Sequence, residues 1–308
     1  MVKKIYFWAC DYSSNSGEGI LGRSYIRYIS KTNKSIKLIN INRSSKFQKN
    51  KFKKNSQIYK SVIHKYIYPL IGLIYLWKLY FQSKNVLFLN YTPLWNFLIF
   101  IFLPPNSKIG PITGTIIKKK YSFLINLCER VSLLVIKLRF KKIIFSNNFY
   151  RFKYKLRGKK FEFNFILKDY RKNPKKCKKL YDFVIYYRNL SVQYNNYIFK
   201  LIYRLKKDFK IAVIGDKIQI KNLKNFGLVD RNRAKQIISN SSFAINNPEN
   251  LYSYFFQDCM SYGLIIFYNK VFKKYNIFKN KKLISISNYD VVIDYNRIRA
   301  KILSYKKI

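Results

Sequence analysis

The chain has 308 residues, 49% of them apolar and 19% aromatic, so it is long enough for two domains with buried cores and too apolar to be intrinsically disordered. Its 62 Lys and Arg against 13 Asp and Glu give a formal net charge of +49, which suggests an anionic partner such as nucleic acid or a membrane surface. Four widely spaced cysteines give no support for a disulfide framework or a zinc site, and a single histidine excludes metal chemistry that needs clustered histidines.

The positive charge does not mark one binding patch. Lysines are spread along the whole chain together with an excess of Asn, Ile, Phe and Tyr, which favours a compositional bias over dedicated binding of a polyanion. The amino terminus has only six apolar residues before Asp11, too few for a signal-peptide core. We therefore predict a cytoplasmic protein that does not bind nucleic acid.

The first half of the chain alternates strand and helix, which is typical of βαβ units and a parallel sheet. In chain order the predicted elements are strand Lys4–Cys10, helix Ile20–Ile29, strand Ile36–Ile41, helix Ser61–Phe81, strand Asn85–Leu89, helix Pro93–Leu103, strand Lys108–Ile112, helix Tyr121–Leu138, strand Lys142–Ser146 and strand Phe161–Leu167.

A second alternation begins after the charged stretch Lys168–Lys179, which is the best domain boundary in the chain. We predict one Rossmann-like domain over residues 1–178 and another over 179–308, with a final helix that closes the second domain or packs back on the first. The predicted elements are strand Phe183–Tyr187, helix Tyr194–Leu205, strand Lys210–Gly215, strand Phe226–Val229, helix Asn232–Ser239, strand Ser242–Asn246, a helix from Asn250, strand Leu264–Tyr268 and helix Tyr289–Ser304.

Two apolar runs raise the question of membrane attachment. Tyr66–Trp77 and Leu94–Leu103 are both shorter than the roughly 18 to 20 residues of a spanning helix. Basic side chains surround the first run, which predicts peripheral binding to an anionic membrane surface, with two ordinary core helices as the alternative. These basic residues are Lys51, Lys53, Lys54, Lys60, Lys65 and Lys78.

A glycine-rich segment, Gly17-Glu18-Gly19-Ile20-Leu21-Gly22, fits the pattern GxGxxG. A nicotinamide-binding fingerprint needs its first glycine directly after the strand and an acidic residue about 20 positions later, and this chain has neither. We predict instead a glycine loop that opens a helix, where backbone N–H groups can bind an anion.

Two carboxylates stand out in a chain that has few. Glu249 follows a predicted strand, and Asp258 lies nine residues later on a predicted helix. Ligands of open α/β sheets bind beyond the carboxyl ends of strands, so Glu249 is placed to accept a ligand hydroxyl. The alternative is that Glu249 only complements the helix N-terminus and that Asp258 is a solvated helix residue.

The second half resembles the C-terminal domain of glycosyltransferases of the GT-B fold, near glycosyltransferase family 4 of bacterial surface-polysaccharide synthesis. The matching pieces are a strand that ends in Arg188, a strand that ends in Gly215, and Asn247-Pro-Glu-Asn250 leading to Asp258-Cys-Met-Ser-Tyr-Gly263. Glu249 matches the first glutamate of the family's Glu-x7-Glu motif. Asp258 stands one residue beyond the position of the second.

The resemblance implies an α/β fold of GT-B type, with two Rossmann-like domains that face each other across a cleft. It implies transfer of a hexosyl or related sugar, without a metal or tightly bound cofactor, from a nucleotide sugar to a surface-polysaccharide or lipid-linked glycan acceptor. The donor diphosphate would be held by Arg188, Lys217, the strand end at Gly215 and the amides of Asn250, Leu251 and Tyr252.

Further roles follow from the same resemblance. Glu249 would accept a donor hydroxyl, and Asp258 would orient it as a second carboxylate. The glycine loop Gly17-Glu18-Gly19 matches the family's first glycine-rich loop, and Asp11 or Glu18 is the candidate for acceptor binding or for the base.

Other functions stay open because Gln193 stands where the family usually has a diphosphate-binding lysine. One alternative is a catalytically weak GT-B-like protein that binds carbohydrate or serves as a partner subunit. The other is a basic nucleic-acid-binding protein, which the net charge alone suggests.

Overall fold

The computed structural model describes residues 3–9, 17–32, 35–41, 68–89, 92–105, 107–113, 122–140, 143–145, 149–158, 160–163, 178–189, 192–221, 223–246, 253–275, 282–287 and 289–306. The chain divides into two compact units, Met1–Ile166 and Leu167–Ile308. The division falls earlier along the chain than the predicted boundary after residue 178, and residues 164–177 lie outside the described residues.

Unit 1 is built on a parallel sheet with the strand order β2-β1-β3-β5-β6-β7, and β4 pairs separately with β5. Its elements are β1 (Lys3–Trp8), α1 (Gly17–Thr32), β2 (Ile36–Asn40), α2 (Tyr68–Phe81), β3 (Asn85–Phe88), β4 (Thr92–Pro93), α3 (Phe97–Phe102), β5 (Lys108–Thr113), α4 (Ser122–Arg139), β6 (Ile143–Phe145), α5 (Phe149–Lys153) and β7 (Phe161–Phe163).

Successive residues of a strand point to opposite faces, and β1 shows which helices cover each face of this sheet. Phe7 packs in a core cluster with Tyr25 and Ile29 of α1. The next residue, Trp8, is fully buried on the other side and stacks on Tyr75 of α2, with ring centroids 5.8 Å apart. Right-handed crossovers place α3 and α4 on the same face as α2.

Two hydrogen bonds show that these three helices are neighbours. Trp77 Nε1 of α2 donates to the carbonyl of Phe102 in α3 at 2.8 Å. Arg139 Nη2, at the end of α4, donates to the carbonyl of Leu103 just beyond α3 at 2.8 Å. Helices α2, α3 and α4 therefore form one continuous layer.

Unit 2 has a fully parallel sheet with the order β10-β9-β8-β11-β12-β13, which is the Rossmann order 3-2-1-4-5-6 when the strands are counted within the unit. Its elements are β8 (Tyr181–Tyr187), α6 (Val192–Leu205), β9 (Ile211–Gly215), β10 (Lys224–Asn225), α7 (Arg231–Ser239), β11 (Ser241–Ile245), α8 (Tyr254–Ser261), β12 (Ile265–Asn269), a 3-10 helix (Lys270–Tyr275), β13 (Leu283–Ile286) and α9 (Val291–Lys306).

The final helix packs on the core of unit 2. Ile298 and Ile302 of α9 are fully buried with Ile198 and Leu205 of α6. The buried carboxylate of Asp294, in the first turn of α9, accepts hydrogen bonds from Tyr197 Oη and from the amide and hydroxyl of Ser287, each at 2.7 Å. Its negative charge also complements the helix N-terminus.

The structure differs from the predicted elements at several places. Gly17, Glu18 and Gly19 form the first turn of α1 and not a loop before it. Helix Pro93–Leu103 is shorter than predicted, because Thr92 and Pro93 pair with β5 and the helix starts after Asn96. Strand Phe226–Val229 is replaced by β10, which lies earlier, and β13 and α5 were not predicted at all.

Candidate functional site

Strand order in the sheet of unit 2 reverses direction at β8. The chain runs from β8 outward through β9 to β10, returns to β11 beside β8, and continues outward on the other side. In open α/β sheets this switch point, at the carboxyl ends of the strands, is where ligands bind. Helices α6, α7 and α8 follow the strands in chain order and start at this edge, so their N-terminal amides point toward it.

The loops after β8 and β9 are tied together at this edge. Gly215 has φ +107°, and a Cβ there would lie 2.2 Å from the carbonyl oxygen of Tyr187, so the position requires glycine. The amide of Asp216 donates to that same carbonyl at 3.0 Å. In return, Asp216 Oδ2 accepts from the amide of Asn189 at 2.8 Å. The two strand ends therefore form one rigid unit.

This rigid pair of loops carries two of the predicted phosphate-binding cations. Arg188 follows β8 and Lys217 follows β9, and both side chains are exposed. The stem of Lys217 packs over Gly227, where a Cβ would lie 3.7 Å from its Cγ. The amide of Gly215 donates to the carbonyl of Gly227 at 2.9 Å. This hydrogen bond ties the loop after β10 to the same edge of the sheet.

Burial also changes the acidity of a tyrosine beside these loops. The pKa of Tyr187 is raised above its usual value, first by desolvation and then by the negative charge of Asp216. The contact of Tyr187 with the loop after β9 is made by its backbone carbonyl, which accepts from the amide of Asp216.

Asp258 is buried on α8, where the structure pairs it with a residue that the sequence analysis missed. Arg231, the first residue of α7, places Nη2 3.5 Å from Asp258 Oδ1. The guanidinium also lies over the ring of Tyr254, at 4.8 Å from the centroid. Asp258 thus orients a third cation at the carboxyl edge.

Two helix caps set the positions of these residues. Asp230 accepts from the amides of Asn232 and Arg233, so α7 begins at Arg231. Ser253 Oγ accepts from the amide of Phe256, so α8 begins at Tyr254. The predicted helix start near Asn250 lies outside the described residues. Phe255 of α8 stacks on Tyr186 of β8 at 5.6 Å, which holds this helix against the switch point.

Several predicted site residues cannot be compared with the structure. Glu249, Asn250, Leu251, Tyr252 and Asp11 lie outside the described residues. In unit 1, Gly17, Glu18 and Gly19 supply backbone amides at the first turn of α1, which follows β1 and therefore starts at the carboxyl edge of that sheet. The structure thus brings together Arg188, Gly215 and Lys217.

The chemistry of the site is that of an anion-binding edge. Arg188, Lys217 and Arg231 provide positive charge, and the starts of α6, α7 and α8 provide N–H groups. Among the described residues no group of three or more His, Cys, Asp or Glu side chains is arranged to hold a metal ion. Cations and backbone amides in this combination can bind an anionic ligand such as a phosphate or a diphosphate.

Comparison with known proteins identifies the fold. No family model matches the chain, and no curated protein does. The UDP complex of MnaA from S. aureus is similar over 98% of this chain and 88% of that chain, with a TM-score of 0.55 and 11% identity.

Two further structures match at lower TM-scores. The DNA-modifying enzyme β-glucosyltransferase, solved with and without uridine diphosphoglucose, covers 96% of this chain and 88% of its own, with a TM-score of 0.48 and 13% identity. E. coli heptosyltransferase WaaC with ADP-2-deoxy-2-fluoro heptose is similar over 98% of this chain and 99% of that chain, with a TM-score of 0.40 and 10% identity. The chain has an α/β fold of GT-B type with two Rossmann-like units.

Proposed function

We propose that this protein is a glycosyltransferase that transfers a sugar from a nucleotide-sugar donor to a glycan acceptor. The observation that carries the proposal is the pair of exposed cations, Arg188 and Lys217, on two cross-linked loops at the switch point of a Rossmann-ordered sheet. A GT-B fold with such an edge suits a ligand whose leaving group is a nucleoside diphosphate. The proposal includes that the protein is related to glycosyltransferase family 4, which its second half resembles.

Cleavage of the sugar–phosphate bond develops negative charge on the leaving diphosphate. Arg188 and Lys217 would neutralise that charge, and Arg231, oriented by Asp258, would add a third cation. Amides at the start of α8 would donate to the same oxygens. These groups supply the electrostatic stabilisation that a metal gives in other enzymes, so we propose a metal-independent transfer of a hexosyl or related group.

The carboxylates have separate roles in this proposal. Glu249 accepts a hydroxyl of the donor sugar or ribose. Asp258 acts as a positioning residue through Arg231, with which it is paired in the structure. Asp11 and Glu18 remain the predicted residues for acceptor binding or for the base. The acceptor is a surface-polysaccharide or lipid-linked glycan, and the protein would act in the cytoplasm at the inner face of the membrane.

Gln193 favours a second candidate, a GT-B-like protein that binds carbohydrate without efficient transfer. It is the second residue of α6, whose N-terminus lies at the same edge, where the family usually supplies a lysine. The two candidates differ in how they handle the donor: without the lysine the second candidate binds the nucleotide sugar weakly, and only a transferase consumes it.

The test is a calorimetric titration of UDP, GDP and ADP into the wild type, Arg188→Ala and Arg204→Ala. Arg204 is a matched control, since it is an exposed arginine in the last turn of α6, at the opposite edge of the sheet. Loss of a charge-assisted hydrogen bond should raise the dissociation constant about tenfold or more in Arg188→Ala and leave Arg204→Ala unchanged.

Two outcomes would count against the proposal. If no nucleotide binds, or if both arginine variants bind like the wild type, the switch-point edge is not a donor site. If nucleotide binds but none of the corresponding nucleotide sugars is consumed in the presence of a lipid-linked or polysaccharide acceptor, the non-catalytic candidate replaces the transferase.

A further inference from the structure

Helix α4 exposes an apolar stripe along its whole length. At about 100° per residue, its six exposed large apolar side chains fall within a sector about 100° wide. They are Phe123, Leu124, Leu127, Val131, Leu134 and Leu138, and they are between 36% and 77% exposed. A surface helix normally turns such a stripe toward the core.

The opposite side of the same helix is the one that packs on the sheet. Ser132, Leu133 and Ile136 are buried there. Glu129 is buried on this side too and accepts hydrogen bonds from Tyr150, Lys153 and Tyr154. Helix α4 is therefore anchored through one face, and the large apolar side chains of its second face are exposed in the part of the chain that the structure describes.

Neighbouring helices extend this surface, since α2 and α3 lie in the same layer. On α2, Leu70, Ile74 and Phe81 share one side and are 53%, 70% and 77% exposed. On α3, Leu98 and Phe102 are 51% and 58% exposed. We call the exposed apolar side chains of α2, α3 and α4 the apolar face of unit 1. Soluble monomers rarely expose a contiguous apolar patch of more than a few hundred Å².

Charge indicates what covers the apolar face. Residues 1–166 contain 32 Lys and Arg against 4 Asp and Glu, a formal net charge of +28. Exposed cations border the face at Lys78, Arg130 and Lys137. The one acidic residue of α4, Glu129, is buried and paired with Lys153. A second copy of this unit would bring the same positive charge to the contact and be repelled, whereas an anionic bilayer offers opposite charge above an apolar interior.

We propose that the apolar face of unit 1 docks onto an anionic phospholipid bilayer, with helix α4 lying in the plane of the membrane surface. The stripe from Phe123 to Leu138 spans about 22 Å along the helix and would sit at the boundary between headgroups and acyl chains. Among the described residues, no helix is both long and apolar enough to cross a bilayer. The proposal does not depend on sugar transfer, since its test needs neither donor nor acceptor.

The test compares binding to vesicles of phosphatidylcholine with about 30% phosphatidylglycerol, whose surface potential is negative, and to vesicles of phosphatidylcholine alone. The variant is Leu127→Asp with Leu134→Asp. Its matched control is Leu228→Asp with Ile293→Asp, which adds the same charge at exposed apolar positions of unit 2 that are 83% and 60% exposed. Circular dichroism and thermal unfolding check that both variants fold like the wild type.

The wild type should bind the anionic vesicles at low salt, bind pure phosphatidylcholine much more weakly, and be released at high salt. The α4 variant should lose at least about tenfold in partition coefficient, because apolar burial is lost and two negative charges are brought to the anionic surface, and the unit 2 control should bind like the wild type. Tryptophan fluorescence of Leu134→Trp should be quenched by brominated acyl chains more than that of Leu228→Trp.

Three outcomes would overturn the proposal. One is no binding of the wild type to anionic vesicles at low salt. Another is binding of the α4 variant to anionic vesicles as strong as that of the wild type, which would mean that charge attraction alone, and not the apolar stripe, holds the protein on the vesicles. The third is a lipid-free dimer of the wild type that the α4 variant disrupts in sedimentation velocity, because a second copy would then cover the stripe.

Discussion

Glu249 is the residue on which the proposed donor contact depends most directly. Glu249→Gln replaces a charged acceptor by a neutral amide, so we expect donor affinity or turnover to fall by an amount equivalent to about 1.5–3 kcal/mol, with no change in stability. Titration calorimetry and initial rates measure the effect. Asp208→Asn is the control, since Asp208 follows α6 at the opposite edge of the sheet. Wild-type affinity and turnover in Glu249→Gln would remove Glu249 from the site.

Gly215 and Gly227 make a matched pair of single residues with positive φ. Ala at Gly215 combines φ +107° with a Cβ only 2.2 Å from the Tyr187 carbonyl, and we expect it to lower the free energy of unfolding by about 3 kcal/mol or more. Ala at Gly227 has φ +64° and its nearest contact at 3.7 Å, so only the backbone cost of about 1–2 kcal/mol remains. Urea unfolding of both variants measures the difference, and equal losses would show that the close approach at Gly215 carries no cost.

Gly215→Ala should also weaken nucleotide binding, because the ends of β8 and β9 must separate to admit the methyl group. Nucleotide affinity in Gly227→Ala should change less, since the hydrogen bonds between Asn189, Asp216 and Tyr187 stay intact there.

At the level of elements, the contact of α2 with β1 depends on a missing side chain. A Cβ on Gly72 would lie 2.3 Å from Nε1 of the fully buried Trp8, so the helix can approach the strand only with glycine at this position. We expect Gly72→Ala to lower the free energy of unfolding by about 1–2 kcal/mol, because overpacking exceeds the gain of about 1 kcal/mol in helix propensity.

Gly22 of α1 is the control for this contact. A Cβ there would meet Leu89 at an ordinary 3.7 Å, so Gly22→Ala should raise the free energy of unfolding by about 0.5–1 kcal/mol. Thermal unfolding of the two variants should move the midpoint in opposite directions. A stabilised Gly72→Ala would show that α2 can shift away from Trp8 without loss.

At the scale of the whole molecule, unit 2 has a core of its own. Its main buried cluster draws only on residues from Phe183 to Ile302. A fragment of residues 167–308 should therefore fold alone, unfold cooperatively in urea and bind UDP with the affinity of the full chain. Circular dichroism and calorimetry check both points. Non-cooperative unfolding would mean that unit 2 needs unit 1 to complete its core.

A shorter fragment tests where the second unit begins. The fragment 179–308 keeps Lys179, whose Nζ donates to the carbonyls of Ser239 and Ser241 at 2.9 and 2.8 Å. Equal stability of the two fragments would support the boundary that the charged stretch predicts, whereas a loss in the shorter one would place residues 167–178 within the fold.

Periodicity in the sequence was enough to predict most elements of unit 2. Alternating apolar runs and helical segments located β8, α6, β9, α7, β11, α8, β12 and α9, because buried parallel strands read as continuous apolar runs such as Ile211–Gly215. The same local signals failed where strand pairing or helix capping determines whether an element forms and where it begins. β13 was missed because the short run Leu283–Ile286 is a strand only through its pairing with β12.

The candidate site likewise contains residues that the sequence predicted and one residue that it did not. The positions of Arg188, Gly215 and Lys217 at strand ends were predicted from the sequence, because each follows or ends a predicted strand and strand ends meet at one edge of a parallel sheet. Their role in donor binding stays a prediction. Arg231 was missed because its partner Asp258 is 27 positions away, and no local pattern records a contact between two helices.

The sequence by itself determined the alternation of strands and helices, the charge and the α/β class, because these depend on composition and on the spacing of apolar residues along the chain. Only the tertiary structure decided the strand order, the switch point and the pairing of Arg231 with Asp258. It also decided the direction of the apolar stripe of α4. Helical spacing predicts that a helix forms, but which side meets the sheet is settled by packing with residues distant in sequence, and here the side with Leu133 and Ile136 is the buried one.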